Sequence, residues 1–297
     1  RAMRKLLRSH FARVLCSKIF WTGLLFQAGT AVLLMTDTFR RASAFELMEG
    51  NGYSAEGGYN MADLFQKSMF HSVVFMGIVF AVFSSVFLGT EYSDGTIRNK
   101  IAAGHSRLNI YLAGFFTCTA AGMVQAAAGV AAELVTGFLL MGKPKVQAGQ
   151  TVQIIIVMLF ICMAYAALFT MAAMLLGSRT HAAVVNILLA AGLLFLAVFL
   201  SAKLQEPEMI TNYVYMTEDK IVQAGNEMPN PNYVSGIRRD IYQLLMDVSP
   251  GGQNYVMTNS AYQGILRYPA LLCIYSAAVT VISGAAGIFV FLRKDIK

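Results

Sequence analysis

Charged side chains are scarce in this 297-residue chain, at 13% of residues against 57% hydrophobic ones. Soluble domains carry about a quarter charged residues, so the deficit excludes an ordinary water-soluble globule. Cysteine is also rare. Cys16, Cys118, Cys162 and Cys273 form no CxxC pair, and the two long polar stretches contain none. That excludes a disulfide framework and a thiolate metal centre, and leaves the cysteines as small apolar packing residues. His10, His71, His105 and His181 show no HExxH or other ligand spacing, and no serine sits in a nucleophile elbow. Residues 137–144 resemble a phosphate loop at first sight, but Pro144 stands where Ser or Thr should hold magnesium, at the end of an apolar run. No catalytic, cofactor or metal site is expected, and no internal repeat relates the two halves.

What the chain has is long apolar runs, at 19–36, 69–88, 110–141, 152–176, 182–202 and 268–292. About 20 apolar residues in a helix, rising 1.5 Å each, span a hydrocarbon core of roughly 30 Å. Runs apolar all round, such as Val184 to Leu200, do not belong on a soluble helix with one polar stripe. In lipid, only helices and closed barrels satisfy their own backbone groups, and unalternating runs of this length are helical. The expected fold class is therefore all-α: a polytopic membrane protein of six transmembrane helices forming one domain over 1–297. The chain opens on Arg1 rather than Met, so a few preceding residues are expected. The first run lacks a cleavage site and reads as a retained helix.

The net charge of +7 is distributed by topology rather than as a nucleic-acid patch. Arg1, Arg4, Lys5, Arg8, Arg13 and Lys18 precede the first span. Arg98, Lys100 and Arg107 lie between spans two and three, Arg179 between four and five, and Arg293, Lys294 and Lys297 after six. Lys and Arg near span ends favour the cytoplasm. Both termini are accordingly expected inside a cell membrane, with residues 37–67 and 203–267 outside and anionic lipid headgroups as partners of the basic side.

Residues 1–18 read as an amphipathic interfacial helix, with Leu6, Leu7, His10, Phe11, Val14 and Leu15 on one face and Arg4, Arg8 and Arg13 mainly on the other. The loop 37–67 is rich in Gly, Ser, Asn and acid, so it is expected to be polar and only partly ordered. Span three is crowded with small residues between Ala120 and Ala132. Small faces let helices approach closely, which predicts a central packing helix rather than a lipid-facing one. The 203–267 stretch is expected to form a small cap. Within it, Ile237, Ile241, Leu244, Leu245 and Val248 form a helical stripe stopped by Pro250-Gly251-Gly252, and a weaker segment lies around 210–222.

Two features carry candidate chemistry. Glu133 is an acid inside span three, with Gln125 two turns away. A carboxylate near a bilayer centre costs about 2.5–3.5 kcal/mol on insertion scales, so it should face the bundle interior or a cavity, as a pathway contact or as a hydrogen-bonded structural residue. The second feature is the loop 89–109, which holds Glu91, Asp94, Gly95, Thr96, Ile97, Arg98 and Lys100, then Gly104, Ser106, Arg107 and Tyr111. Ser93 or Asp94 is placed to cap a short helix starting near Gly95, and Gly104 permits the turn back into span three.

That stretch resembles the coupling-helix signature in permease subunits of type-2, exporter-like (ABC-2) ABC transporters. Glu91, Gly95, Thr96, Ile97, Arg98, Gly104, Ser106, Arg107 and Tyr111 carry the resemblance. The layout is similar across essentially the whole chain: amphipathic start, six spans, both ends inside and the largest outside loop before span six. Asp247 to Gln253 resembles that family's turn before its last span, and Phe291 to Asp295 its ending. Ala113-Gly114 departs from it where many relatives carry Lys.

The resemblance implies a permease that is not itself an enzyme, with Mg-ATP bound by two separate ABC ATPase subunits. It also implies a second permease chain, identical or paralogous, and coupling through Glu91, Asp94, Gly95, Thr96, Ile97, Arg98, Gly104, Ser106 and Arg107. Export of an antimicrobial peptide, drug, lipid-linked molecule or ion is the implied activity. A membrane sensor that detects a ligand through its outside cap is the alternative. An integral membrane enzyme is disfavoured because the spans offer no clustered catalytic groups.

Overall fold

Six helices long and apolar enough to cross a bilayer make up the body of the computed structural model. It describes residues 2–49, 61–143, 148–211, 214–217, 220–223, 227–263 and 268–295. A basic helix α1 (Ala2–Leu15) leads, after a break at Cys16-Ser17, into α2 (Lys18–Glu49). Then come α3 (Met61–Ser68), a 3-10 turn (His71–Phe75), α4 (Met76–Ser93), the short α5 (Thr96–Ala102) and α6 (Arg107–Met141). The hairpin α7 (Ala148–Leu176) and α8 (Arg179–Gln205) follows. A ribbon of four short strands, β1 (Met209–Thr211), β2 (Val214–Thr217), β3 (Lys220–Gln223) and β4 (Glu227–Pro229), separates it from α9 (Ile237–Val248), α10 (Pro250–Gln263) and α11 (Pro269–Arg293). This is an all-α polytopic membrane fold with a small β ribbon in its cap.

Packing orders the spans differently from the sequence reading. The central windows of spans two and four are 67% and 61% buried, whereas that of span three is only 28% buried. The small residues of α6 therefore serve one face instead of making the helix central. Along that face a side chain on Gly122 would collide with the Phe80 ring, and one on Gly137 with Phe65. Its opposite face exposes Phe116, Val124, Val135 and Leu139. The lengthwise pairs are α11 on α7, α2 on α6 and α4 on α8.

Several boundaries also move. The first span continues through residues expected in a loop, as far as Glu49. No proline or glycine interrupts 37–49, and Asp37 pairs with Arg41 at i,i+4, 2.8 Å apart. Residues 61–67 of that expected loop belong to α3, and 50–60 lie outside the described residues. The described residues of the weaker segment at 210–222 are strand: β1 pairs antiparallel with β4, and β2 with β3.

The α9 bounds match the predicted stripe, but the stop does not. Ser249 ends the helix, and Pro250 opens α10 as its first residue, the position where proline's missing N–H costs nothing. Nor does the α9 stripe face the core: Ile237, Ile241, Leu244 and Leu245 are exposed, while Met246 packs under Leu200 of α8.

The start of α10 sinks into the bundle. Pro250, Gly251, Gly252, Gln253 and Asn254 are buried. The Gln253 amide donates to Leu272 O at 3.1 Å, and Asn254 donates to Val73 O at 2.7 Å. The carbonyls of the 3-10 turn before α4 also take side-chain donors: Asn254 joins the Met76 N–H on Val73 O, and Gln27 of α2 donates to Ser72 O at 2.7 Å.

Candidate functional site: a buried carboxylate latch beneath a short connecting helix

The end of the bundle that carries both termini is held by side chains closing helix ends. Arg107, at the first residue of α6, donates to Leu292 O at 3.0 Å and Lys294 O at 2.6 Å. Lys294 reaches Leu175 O of α7 at 2.7 Å, and Tyr92 donates to Met174 O at 2.6 Å. Cations on the last carbonyls of a helix satisfy orphan acceptors and meet the negative end of its dipole. Arg107 is thus committed to the C-terminus of α11.

Within this end lies Glu91, on the last turn of α4, which extends past the expected limit at residue 88 to Ser93. Its side chain has no solvent exposure. Three groups from two other helices converge on its Oε1: Lys100 Nζ of α5 at 2.7 Å, the Arg13 guanidinium of α1, and the His10 ring of α1 at 3.2 Å. Arg13 also donates to Phe87 O at 2.9 Å and lies over the Phe87 ring, 4.4 Å from its centroid.

The tautomer of His10 follows from its neighbours. Lys100, 2.6 Å from Nε2, has only protons to offer, so Nε2 accepts. The ring proton is then on Nδ1, facing Thr117 Oγ1 at 3.4 Å, and the Thr117 hydroxyl donates to Ala113 O at 2.7 Å. Burial pushes His10 down to about 4 in spite of the Glu91 charge, so the ring is neutral at physiological pH. Burial also pulls Lys100 down, opposed by the same carboxylate. Arg13 and Lys100 thus supply the positive charge that compensates a carboxylate costly alone, and the neutral imidazole accepts from Lys100.

Above this latch stands α5. Gly95, at φ +67°, starts it with no side-chain cap, so neither Ser93 nor Asp94 caps it. Glycine adopts this left-handed backbone without the cost of a Cβ. Ser106 caps α6, accepting from Asn109 N at 3.3 Å. Ile97 is buried and Lys100 reaches inward, while Asp94, Arg98, Asn99 and Gly104 are exposed and Gly95 and Thr96 half-exposed. The sequence-predicted loop residues therefore divide. Glu91 and Ile97 anchor the element, Arg107 and Ser106 serve helix ends, and Asp94, Arg98 and Asn99 form its free face.

His10 and Arg13 were not singled out from sequence, because a basic amphipathic flank reads as lipid-facing. In the structure Leu6, His10 and Val14 point into the protein while Phe11 and Leu15 are exposed. The available signal was Glu91 itself, an acid on a span end that requires a cation.

Glu133 and Gln125 are both buried on α6 but are not brought together. Gln125 donates to Phe20 O of α2 at 3.1 Å, whereas Glu133 Oε1 accepts from Ser72 N at 2.6 Å. Among the described residues no group of His, Cys, Asp and Glu could hold a metal ion. Cys118 and Cys162 are buried and Cys16 exposed, all with free thiols.

No protein-family model matches the chain, and no curated protein matches it. The fold defines a polytopic helical membrane protein, and the terminal end defines a short helix held rigidly between two of its spans.

Proposed function

We propose that this chain is the permease subunit of an ABC exporter of the ABC-2 type, driven by two separate ATPase subunits and paired with a second permease chain. The observation that carries the reading is the mounting of α5. A lever must be stiff where it joins the spans and free where it is pushed. The latch of Glu91, Lys100, Arg13 and His10 fixes its inner side to α4 and α1. Asp94, Arg98 and Asn99 leave a charged and polar outer face, suited to ion pairing with a soluble partner. Movement of α5 would pass directly into α4 and α6, the spans on either side of it.

The test is reconstitution with the separate ABC ATPase that this reading requires. Substitution of Asp94 and Arg98 together by Ala should weaken co-purification or uncouple ATP hydrolysis from transport while the chain inserts and melts normally. Wild-type coupling in that double variant would overturn the reading. Orientation is tested separately. With native cysteines replaced, Ser235→Cys should react with an impermeant thiol reagent on intact cells and Ser106→Cys should not, if the basic end is cytoplasmic. The reverse pattern would place α5 where no ATPase can reach it.

A further inference from the structure

Glu133 has no counterpart to the cations around Glu91. Its side chain is fully buried, and among the described residues no ion pair reaches it. One oxygen, Oε1, accepts from Ser72 N; the other, Oε2, has no partner. The Ser72 hydroxyl lies beside the carboxylate, as a neighbour able to share a proton with it, and has no partner outside this pair. Gln27 of α2 donates its amide to Ser72 O at 2.7 Å, which orients that side chain toward the 3-10 turn, and Gln27 Oε1 is left unpaired. Gly129, one turn before Glu133 on α6, lets Gln27 and Ser72 approach this face closely. A Cβ there would stand 2.8 Å from Gln27 Cγ and 3.0 Å from Ser72 Oγ.

Buried polar atoms are nearly always partnered, and an isolated ionised carboxylate in hydrocarbon is far costlier than a neutral group. Here three buried oxygens with no partner outside the group, Gln27 Oε1, Ser72 Oγ and the acid's own Oε2, belong to residues packed together where α2, the 3-10 turn and α6 meet. We propose that Glu133, Ser72 and Gln27 form a binding site for a single monovalent positive charge, either an alkali cation or a proton. The donor set fixes that class. Carboxylate, hydroxyl and amide oxygens are hard ligands, and no imidazole or thiolate that would select a softer metal shares the set. One carboxylate balances one positive charge and would leave a divalent ion half-neutralised. A cation would use Oε2, Ser72 Oγ and Gln27 Oε1; a proton on Oε2 would be donated to one of the other two. The titratable neighbour on the 3-10 turn is His71, half-buried next to Ser72. The site does not depend on the transport reading.

Thermal unfolding of the detergent-purified full chain tests it, in lithium, sodium or potassium chloride balanced with choline chloride to constant ionic strength, at pH 6 and pH 9. If the charge is an alkali cation, one of the salts should raise Tm saturably at pH 9, by about 5 °C at saturation, and less at pH 6 where protons compete. Glu133→Gln should abolish the rise. If the charge is a proton, Tm should ignore the salts but fall from pH 6 to pH 9 in the wild type and stay level in Glu133→Gln. His71→Gln, which keeps the carboxylate, should leave either dependence in place. Gln27→Leu and Ser72→Ala should shift the salt or pH midpoint, which keeps the test open if Glu133→Gln does not fold. Wild type and Glu133→Gln responding identically to both salt and pH would overturn the proposal, as would unshifted midpoints in both Gln27→Leu and Ser72→Ala.

Discussion

Two carboxylates are buried among the described residues, and their surroundings differ in kind. Glu91 sits where three helices meet at the terminal end, with Lys100, Arg13 and His10 on one oxygen. Glu133 sits on α6 facing α2 and the 3-10 turn, with a single backbone N–H. A charge compensated by cations from other helices is a fastener, because removing it leaves those cations unpaired. A charge with no cation beside it, among oxygens that lack outside partners, suits the ligand proposed above. The same residue type, in the same low dielectric, thus serves two purposes according to what the fold sets beside it.

The largest expected effect is at the fastener. Glu91→Ala should destabilise the chain by about 3–5 kcal/mol, the usual result of breaking a buried pair from one side. Thermal melting of the purified protein checks this, and a normal melt would show that α1 and α5 are held by apolar packing alone. Glu91→Gln should be nearly as damaging, since it also removes the charge. By contrast, Glu133→Gln at pH 6 in choline chloride should stay within about 1 kcal/mol of wild type, because the amide oxygen still accepts from Ser72 N. Equal losses in the two Gln variants would erase the distinction between the sites.

Next in size is a pH effect confined to the Glu91 side. His10 is held near 4 in the folded chain against an ordinary value of 6.5. The unfolded chain therefore binds the extra proton first, so the contribution of neutral His10 is complete above pH 6.5 and lost as pH falls toward 4. By pH 5 the loss should be about 2 kcal/mol. His10→Gln should flatten that part of the stability–pH curve, measured by melting between pH 7 and pH 4.5. An unchanged slope would mean that the ring is already charged in the latch.

Smaller still is the hinge. Gly95→Ala meets no neighbour within 4 Å but must adopt φ +67°, at a cost of about 1 kcal/mol. A neutral melt for this variant would show that the α4–α5 corner relaxes to another backbone. Smallest is Arg98→Ala, on the exposed face of α5, which should change stability by no more than about 0.5 kcal/mol. A larger loss would mean that this face is bound within the chain and is not free for a partner.

The number of spans, the bounds of α9 and the existence of a short element between spans two and three were legible in the sequence, because each depends on local periodicity and length. Glu133 was legible as an interior group because a carboxylate in an apolar run has few places to go. The extension of α4 to Ser93 was not, since Thr90, Glu91, Tyr92 and Ser93 read as loop until Glu91 is neutralised by partners distant in sequence. Nor was the α10 start legible. Pro250-Gly251-Gly252 punctuates a chain when read locally, yet the same glycines let α10 approach closely: a Cβ on Gly251 would stand 2.6 Å from Leu193 O of α8.

Hydropathy and the spacing of apolar residues by themselves determined that this is a six-span helical membrane protein, because the bilayer imposes a length and demands internal backbone hydrogen bonds wherever the chain crosses it. Tertiary structure alone decided which acid is fastened and which is open. Burial and charge compensation are properties of neighbours, and Glu91 meets Arg13 from 78 residues away along the chain while Glu133 meets Ser72 from 61 residues away.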